Sequence, residues 1–161
     1  MTAYDQYKQD FALLIEAGFI AVNQADEDAA VRLFKASALL RPTSLLPKIG
    51  YGYLHLLKLE LKQACLNFED VLQQEPTNDM AKALLGLCMS LQPKSIDQGS
   101  HILEETLQSD NSLVKQMSHT ALEFVDKFVR KAPAPLHGSS AEKPKKSAKK
   151  NPKAKKNHNP E

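Results

Sequence analysis

The residues best suited to bind a metal or act as a nucleophile are five histidines and two cysteines. His55, His101, His119, His137 and His158 are scattered, and no set of them shows the spacing of a metal site. His55 reads as a packing residue inside an apolar run; His101 and His119 read as surface residues on polar helix faces. Cys65 and Cys88 fall within helical patterns, have no partner at metal spacing, and read as reduced thiols. The acidic pairs Glu69/Asp70 and Glu104/Glu105 are adjacent in sequence, so on a helix their carboxylates point in different directions. There is no glycine-rich phosphate loop, no G-x-S-x-G and no H-E-x-x-H. The chain is therefore expected not to be an enzyme, with no metal and no cofactor.

What remains is a regular distribution of apolar and small residues. Gly18, Gly52 and Gly86 are spaced 34 apart, and the same interval separates Pro42 from Pro76, Ala30 from Ala64, and Phe34 from Phe68. A shared period of this size marks a stack of supersecondary repeats.

Apolar spacings of three and four predict an all-α chain. The first helix spans Tyr4–Asn23. The second is opened by Asp26, Glu27 and Asp28 and closed at Arg41–Pro42. Thr43 or Ser44 caps a third helix carrying Pro47 in its first turn. A fourth runs over about 60–74, and a fifth over Met80–Leu91, capped by Asn78 or Asp79. Ser95 and Gln98 form a capping-box pattern for a sixth helix, Ile96–Gln108. Here the register slips: Ile102 keeps the strict period, whereas Gly99 and Leu103 fit with one inserted residue. A seventh helix, opened by Asn111 or Ser112 and reaching about Lys131, carries the stripe Leu113, Met117, Ala121, Leu122, Val125 and Val129. It reads as the cap that covers the last hydrophobic face of the stack.

Charge divides the chain. Residues 133–161 hold 8 Lys and 2 Glu, whereas residues 1–132 hold 13 Lys and Arg against 17 Asp and Glu. The predicted domains are a repeat body, 1–132, and a Lys-rich tail, 133–161, too poor in apolar residues to order itself. Such a tail could bind nucleic acid or an anionic membrane through charge alone, or serve as a solubilising or intramolecular segment; nucleic acid is the weaker of these readings. The opening MTAYDQYKQD has no apolar run of a signal peptide, and no stretch approaches the ~20 apolar residues of a membrane span. A cytoplasmic protein is expected.

The pattern of Gly in the first helix, A-x-x-x-F in the second and Pro at the end resembles the tetratricopeptide repeat over about residues 11–111. Departures are the tryptophan slot, filled by Leu14, Lys48 and Lys82, and the tyrosine slot, filled by Ala21, His55 and Met89. The resemblance implies a superhelix of three helix pairs plus a C-terminal capping helix, with the first helix of each pair lining a concave groove. On that face would stand Ala12, Ile15, Phe19 and Val22; then Leu46, Ile49, Tyr53, Leu56 and Leu57; then Met80, Ala83, Leu87 and Leu91. Nearly all are apolar. Lys, Arg and Asn, with which tetratricopeptide domains grip a C-terminal carboxylate, are nearly absent. An amphipathic helix or a hydrophobic extended segment suits such a wall. The alternative is a groove filled by the chain's own N-terminal extension or seventh helix.

A three-repeat body with an apolar groove and no catalytic residues resembles the helical-repeat chaperones of bacterial type III secretion, in particular the needle-subunit type. That resemblance implies a secretion needle subunit as client, with a small helical co-chaperone as a further partner. A chaperone for membrane-inserting translocators is the nearest alternative. A scaffold recruiting acidic partners or nucleic acid through the tail is the more distant one.

Overall fold

Seven helices account for the described chain: α1 (Ala3–Asn23), α2 (Glu27–Leu40), α3 (Leu46–Leu57), α4 (Leu61–Gln74), α5 (Asp79–Ser90), α6 (Ile96–Thr106) and α7 (Ser112–Phe124). The structure is a computed structural model that describes residues 3–131; the tail 133–161, with His137 and His158, lies outside the described residues. No strand occurs among the described residues, and no described helix is long and apolar enough to cross a membrane.

Three of the helix starts, those of α2, α5 and α7, follow from side-chain caps. Asp26 accepts from the Ala29 amide at 2.9 Å, Asn78 from Ala81 at 3.0 Å, and Asn111 from Leu113 at 2.9 Å. Pro47 lies in the first turn of α3, where its missing N–H is harmless. Helices α2 and α4 stop at Leu40 and Gln74, and their C-caps Arg41 and Glu75 each stand just before a proline, because the residue before proline is pushed out of the helical region.

Consecutive helices pair, α1 with α2, α3 with α4 and α5 with α6, and each pair packs on the one before it; α7 packs on α6 and α5. Two apolar cores result, one around Phe34 and one around Phe68. Both rings are fully buried, each lodged against a glycine: Phe34 at Gly18 and Gly50, Phe68 at Gly52. Leu103, also fully buried, takes the corresponding place against Gly86. Leu103 and Gly99, not Ile102, thus continue the pattern, with one residue inserted.

The cause of the insertion lies in the turns. The turn after α1 carries Ala25 at φ 59°, and the turn after α3 carries Leu59 at φ 58°. In each turn the residue after the left-handed one bonds back across the helix end, Asp26 N to Ala21 O and Glu60 N to His55 O, both at 2.9 Å. This is the Schellman closure, and it leads into the next helix after three linking residues. One period after Leu59 stands Pro93, whose ring fixes φ near −65° and forbids the left-handed region. The α5–α6 turn therefore needs five linking residues, 91–95.

Three expectations are corrected here. Neither Thr43 nor Ser44 caps the third helix: Leu45 stands at its N-cap, with no side-chain cap hydrogen bond. Ser95 does not form a capping box; its hydroxyl donates to Met89 O at 3.0 Å and closes the lengthened turn. The seventh helix does not run on to Lys131 as one α-helix. After Phe124 it widens into a π-type turn over Val125–Val129, where Arg130 N bonds to Val125 O at 2.9 Å. Arg130 thereby reaches α6, donating to Asp97 at 2.8 Å and to Ser100 at 3.1 Å.

Candidate apolar helix-binding trough

The residues expected to line a groove separate into three groups. Ile15, Val22 and Ile49 are buried within the two cores. Phe19, Tyr53, Met80, Leu87 and Leu91 are half-buried, and Leu46 and Leu57 are exposed. Leu56 is 5% exposed, yet it contributes to the floor of a cavity. Ala12 is exposed and Ala83 buried.

Between α1 and α3 the wall is closed. The Phe19 and Tyr53 rings meet with centroids 5.8 Å apart, and Tyr53 Oη donates to Asn23 Oδ1 at 2.9 Å. Phe19 also meets Phe34 edge to face at 5.4 Å. These rings hold successive helix pairs together.

Toward the C-terminus the wall opens. A cavity of about 390 Å³ is bounded by Tyr53, Leu56 and Leu57 of α3, Leu59 of the α3–α4 turn, Leu84, Leu87 and Leu91 on and just after α5, and Met117 of α7. It adjoins a larger one of about 720 Å³, which shares Leu59, Leu87, Leu91 and Met117 and adds Leu113, Gln116, Thr120, Ala121 and Phe124. No charged side chain lines either cavity, and the polar contributors are the hydroxyls of Tyr53 and Thr120 and the amide of Gln116. The two cavities form one apolar trough along α5, roofed at one side by α7. Helix α7 is therefore not only a cap: its Val114, Ser118 and Ala121 face is buried, while Leu113, Met117 and Phe124 extend the apolar wall. It does not fill the trough.

The trough mouth includes Leu57, Leu59, Leu113 and Phe124, all counted among the exposed large apolar residues. Contiguous exposed apolar surface of this kind marks an interaction site. Leu113 and Met117 were legible as a helical stripe; Leu59 and Phe124 were not assigned. The available signal for Leu59 was a bulky apolar residue in a turn between Lys58 and Glu60.

The turn bearing Leu59 is braced by charge. Lys58 Nζ lies 2.9 Å from Glu27 and 3.0 Å from Glu60, and His55 Nδ1 lies 2.6 Å from Glu60. The His55 hydrogen bond, and then that of Lys58, hold the Glu60 carboxyl below its ordinary range. Bonds to Glu27 and Glu60 raise Lys58 above its own. His55 thus does more than pack: it fixes the turn. Elsewhere, Lys48 at 2.5 Å from Asp70 lowers that carboxyl.

The remaining candidate chemistry is dispersed. His101 and His119 are exposed and face Glu105 and Glu123 at 3.5 Å and 3.9 Å. Burial pushes the Cys88 thiol up to about 12 and raises Cys65 as well, so neither is an activated nucleophile. Among the described residues no group of three or more His, Cys, Asp or Glu could hold a metal ion.

Compared with protein-family models, curated proteins and solved structures, the chain matches none.

Proposed function

We propose that this chain is a cytoplasmic, non-enzymatic, tetratricopeptide-type chaperone that buries an amphipathic helix of a self-assembling subunit, and that the client is the needle subunit of a bacterial type III secretion system. The observation that carries the helix-binding part is the uncharged trough along α5, open at Leu57, Leu59, Leu113 and Phe124. Apolar side chains at i, i+3, i+4 and i+7 of a docked helix would meet apolar contacts there and little else. The tetratricopeptide reading is supported by the recurrence of Gly18, Gly52 and Gly86 against Phe34, Phe68 and Leu103. The client itself is chosen on the sequence resemblance.

The mechanism is competitive capping. A subunit helix held in the trough is withdrawn from polymerisation, so the free concentration of assembly-competent subunit falls by mass action. The test is titration of a peptide carrying the needle subunit's amphipathic helix, with methyl NMR detection on the chaperone. Shifts at Leu87, Leu91 and Met117 support the reading; saturable binding that leaves those methyls unmoved, or no binding, contradicts it.

A further inference from the structure

Leu59 is an uneconomical residue for its place. Its φ of 58° lies in the left-handed region, where a Cβ is disfavoured and glycine is the usual occupant of a helix-ending turn. It is also 72% exposed, so burial in the folded chain does not offset the strain. A strained conformation persists when its surroundings over-determine it. Here the ion cluster of Glu27, His55, Lys58 and Glu60 does so from both sides of the residue. Leu59 is moreover shared by both cavities of the trough. Ala25, one period earlier, has the same backbone conformation but borders neither cavity.

We propose that Leu59 is a partner-contacting anchor: a strained turn presents its side chain to an amphipathic α-helix that another protein lays into the trough between α5 and α7. The inference rests on the helix-binding reading above and adds a residue and a location to it. The occupant is foreign because residues 132–161 offer a single large apolar side chain, Leu136, among eight Lys, and so cannot supply an apolar stripe. The uncharged lining favours a helix face without charge.

The test uses the full chain with Leu59→Gly, Leu59→Ala and Ala25→Gly. The probe is a fluorescein-labelled amphipathic peptide of roughly 18 residues, with Leu at helical i, i+3, i+4, i+7 spacing and Lys/Glu elsewhere, read by anisotropy. Leu59→Gly should raise the melting temperature by about 3–5 °C and weaken the peptide about tenfold, the loss of one buried leucine contact. Leu59→Ala should weaken the peptide without that thermal gain. Ala25→Gly should give the thermal gain with binding unchanged. If the wild-type chain binds the peptide and both Leu59 variants bind it equally well, Leu59 is not an anchor. If Ala25→Gly gains stability and Leu59→Gly does not, the strain argument is overturned. If the wild-type chain does not bind the peptide, the helix-binding reading itself fails. Self-association in sedimentation equilibrium that Leu59→Gly abolishes would make a second copy the occupant and overturn the foreign-helix assignment.

Discussion

Phe34 stands where Gly50 has no side chain: a Cβ on Gly50 would fall 2.4 Å from the Phe34 ring, and one on Gly18 would be equally close. The ring is clamped between α1, which belongs to its own helix pair, and α3, which belongs to the next. Gly50→Ala should therefore cost about 1–3 kcal/mol by overpacking. Phe34→Leu should relieve part of that cost, so the double variant is more stable than the sum of the singles implies. Urea denaturation of the four chains measures both.

Gly99 should be less tolerant still. A Cβ there would meet Ser90 N at 2.4 Å and Gly86 O at 2.5 Å, backbone atoms that no rotamer change can move. Gly99→Ala is expected to lose more stability than Gly18→Ala or Gly52→Ala, whose obstacles are aromatic rings able to shift. A ranking with Gly99→Ala as the mildest of the three contradicts this packing account.

The α6–α7 seam contains a buried pair, Thr106 Oγ1 and Ser118 Oγ, 2.8 Å apart. Thr106→Val leaves the Ser118 hydroxyl without this partner and should cost about 1–3 kcal/mol. Adding Ser118→Ala removes the orphaned group and should recover part of the loss. Chemical denaturation of the single and double variants reads the coupling.

Glu60 and Asp70 contribute to the acid limb of stability. Their folded carboxyls are held below the ordinary range, so the bonds from His55, Lys58 and Lys48 stabilise the fold fully above about pH 5. That contribution is lost as pH falls through the folded values. Melting temperature followed from pH 7 to about pH 3 should fall less steeply in Glu60→Gln and Asp70→Asn than in the wild-type chain. Parallel curves would show that these contacts add nothing.

Seven helices and most of their ends were legible because their signals are local: apolar spacing, Asp26, Asn78 and Asn111 as caps, Pro42 and Pro76 as stops. The slip after α5 was visible as a mismatch, but its cause required knowing that Ala25 and Leu59 adopt φ > 0, which Pro93 cannot. The wall residues were only partly separable. Ile49 and Leu57 both fit an apolar stripe, yet Ile49 is 3% exposed and Leu57 48%. Periodicity identifies a face; it does not say how closely the neighbouring helix covers it. The contribution of α7 to the trough depends on its packing on both α5 and α6, a non-local fact that its own stripe does not contain.

That separation decides how binding is to be probed. Asp at Ile49 or Leu56 would place a charge in or beside the core and unfold the chain, whereas Leu57→Asp and Phe124→Asp alter exposed positions at the trough and should leave helix content and melting temperature nearly unchanged. The direct measurement is the rate at which purified needle subunit polymerises, followed by light scattering, with an equimolar amount of the wild-type chain or of the Leu57→Asp/Phe124→Asp variant. The account predicts that the wild-type chain suppresses polymerisation and the folded variant does not. Polymerisation at the unassisted rate with the wild-type chain, or equal suppression by both, would contradict it.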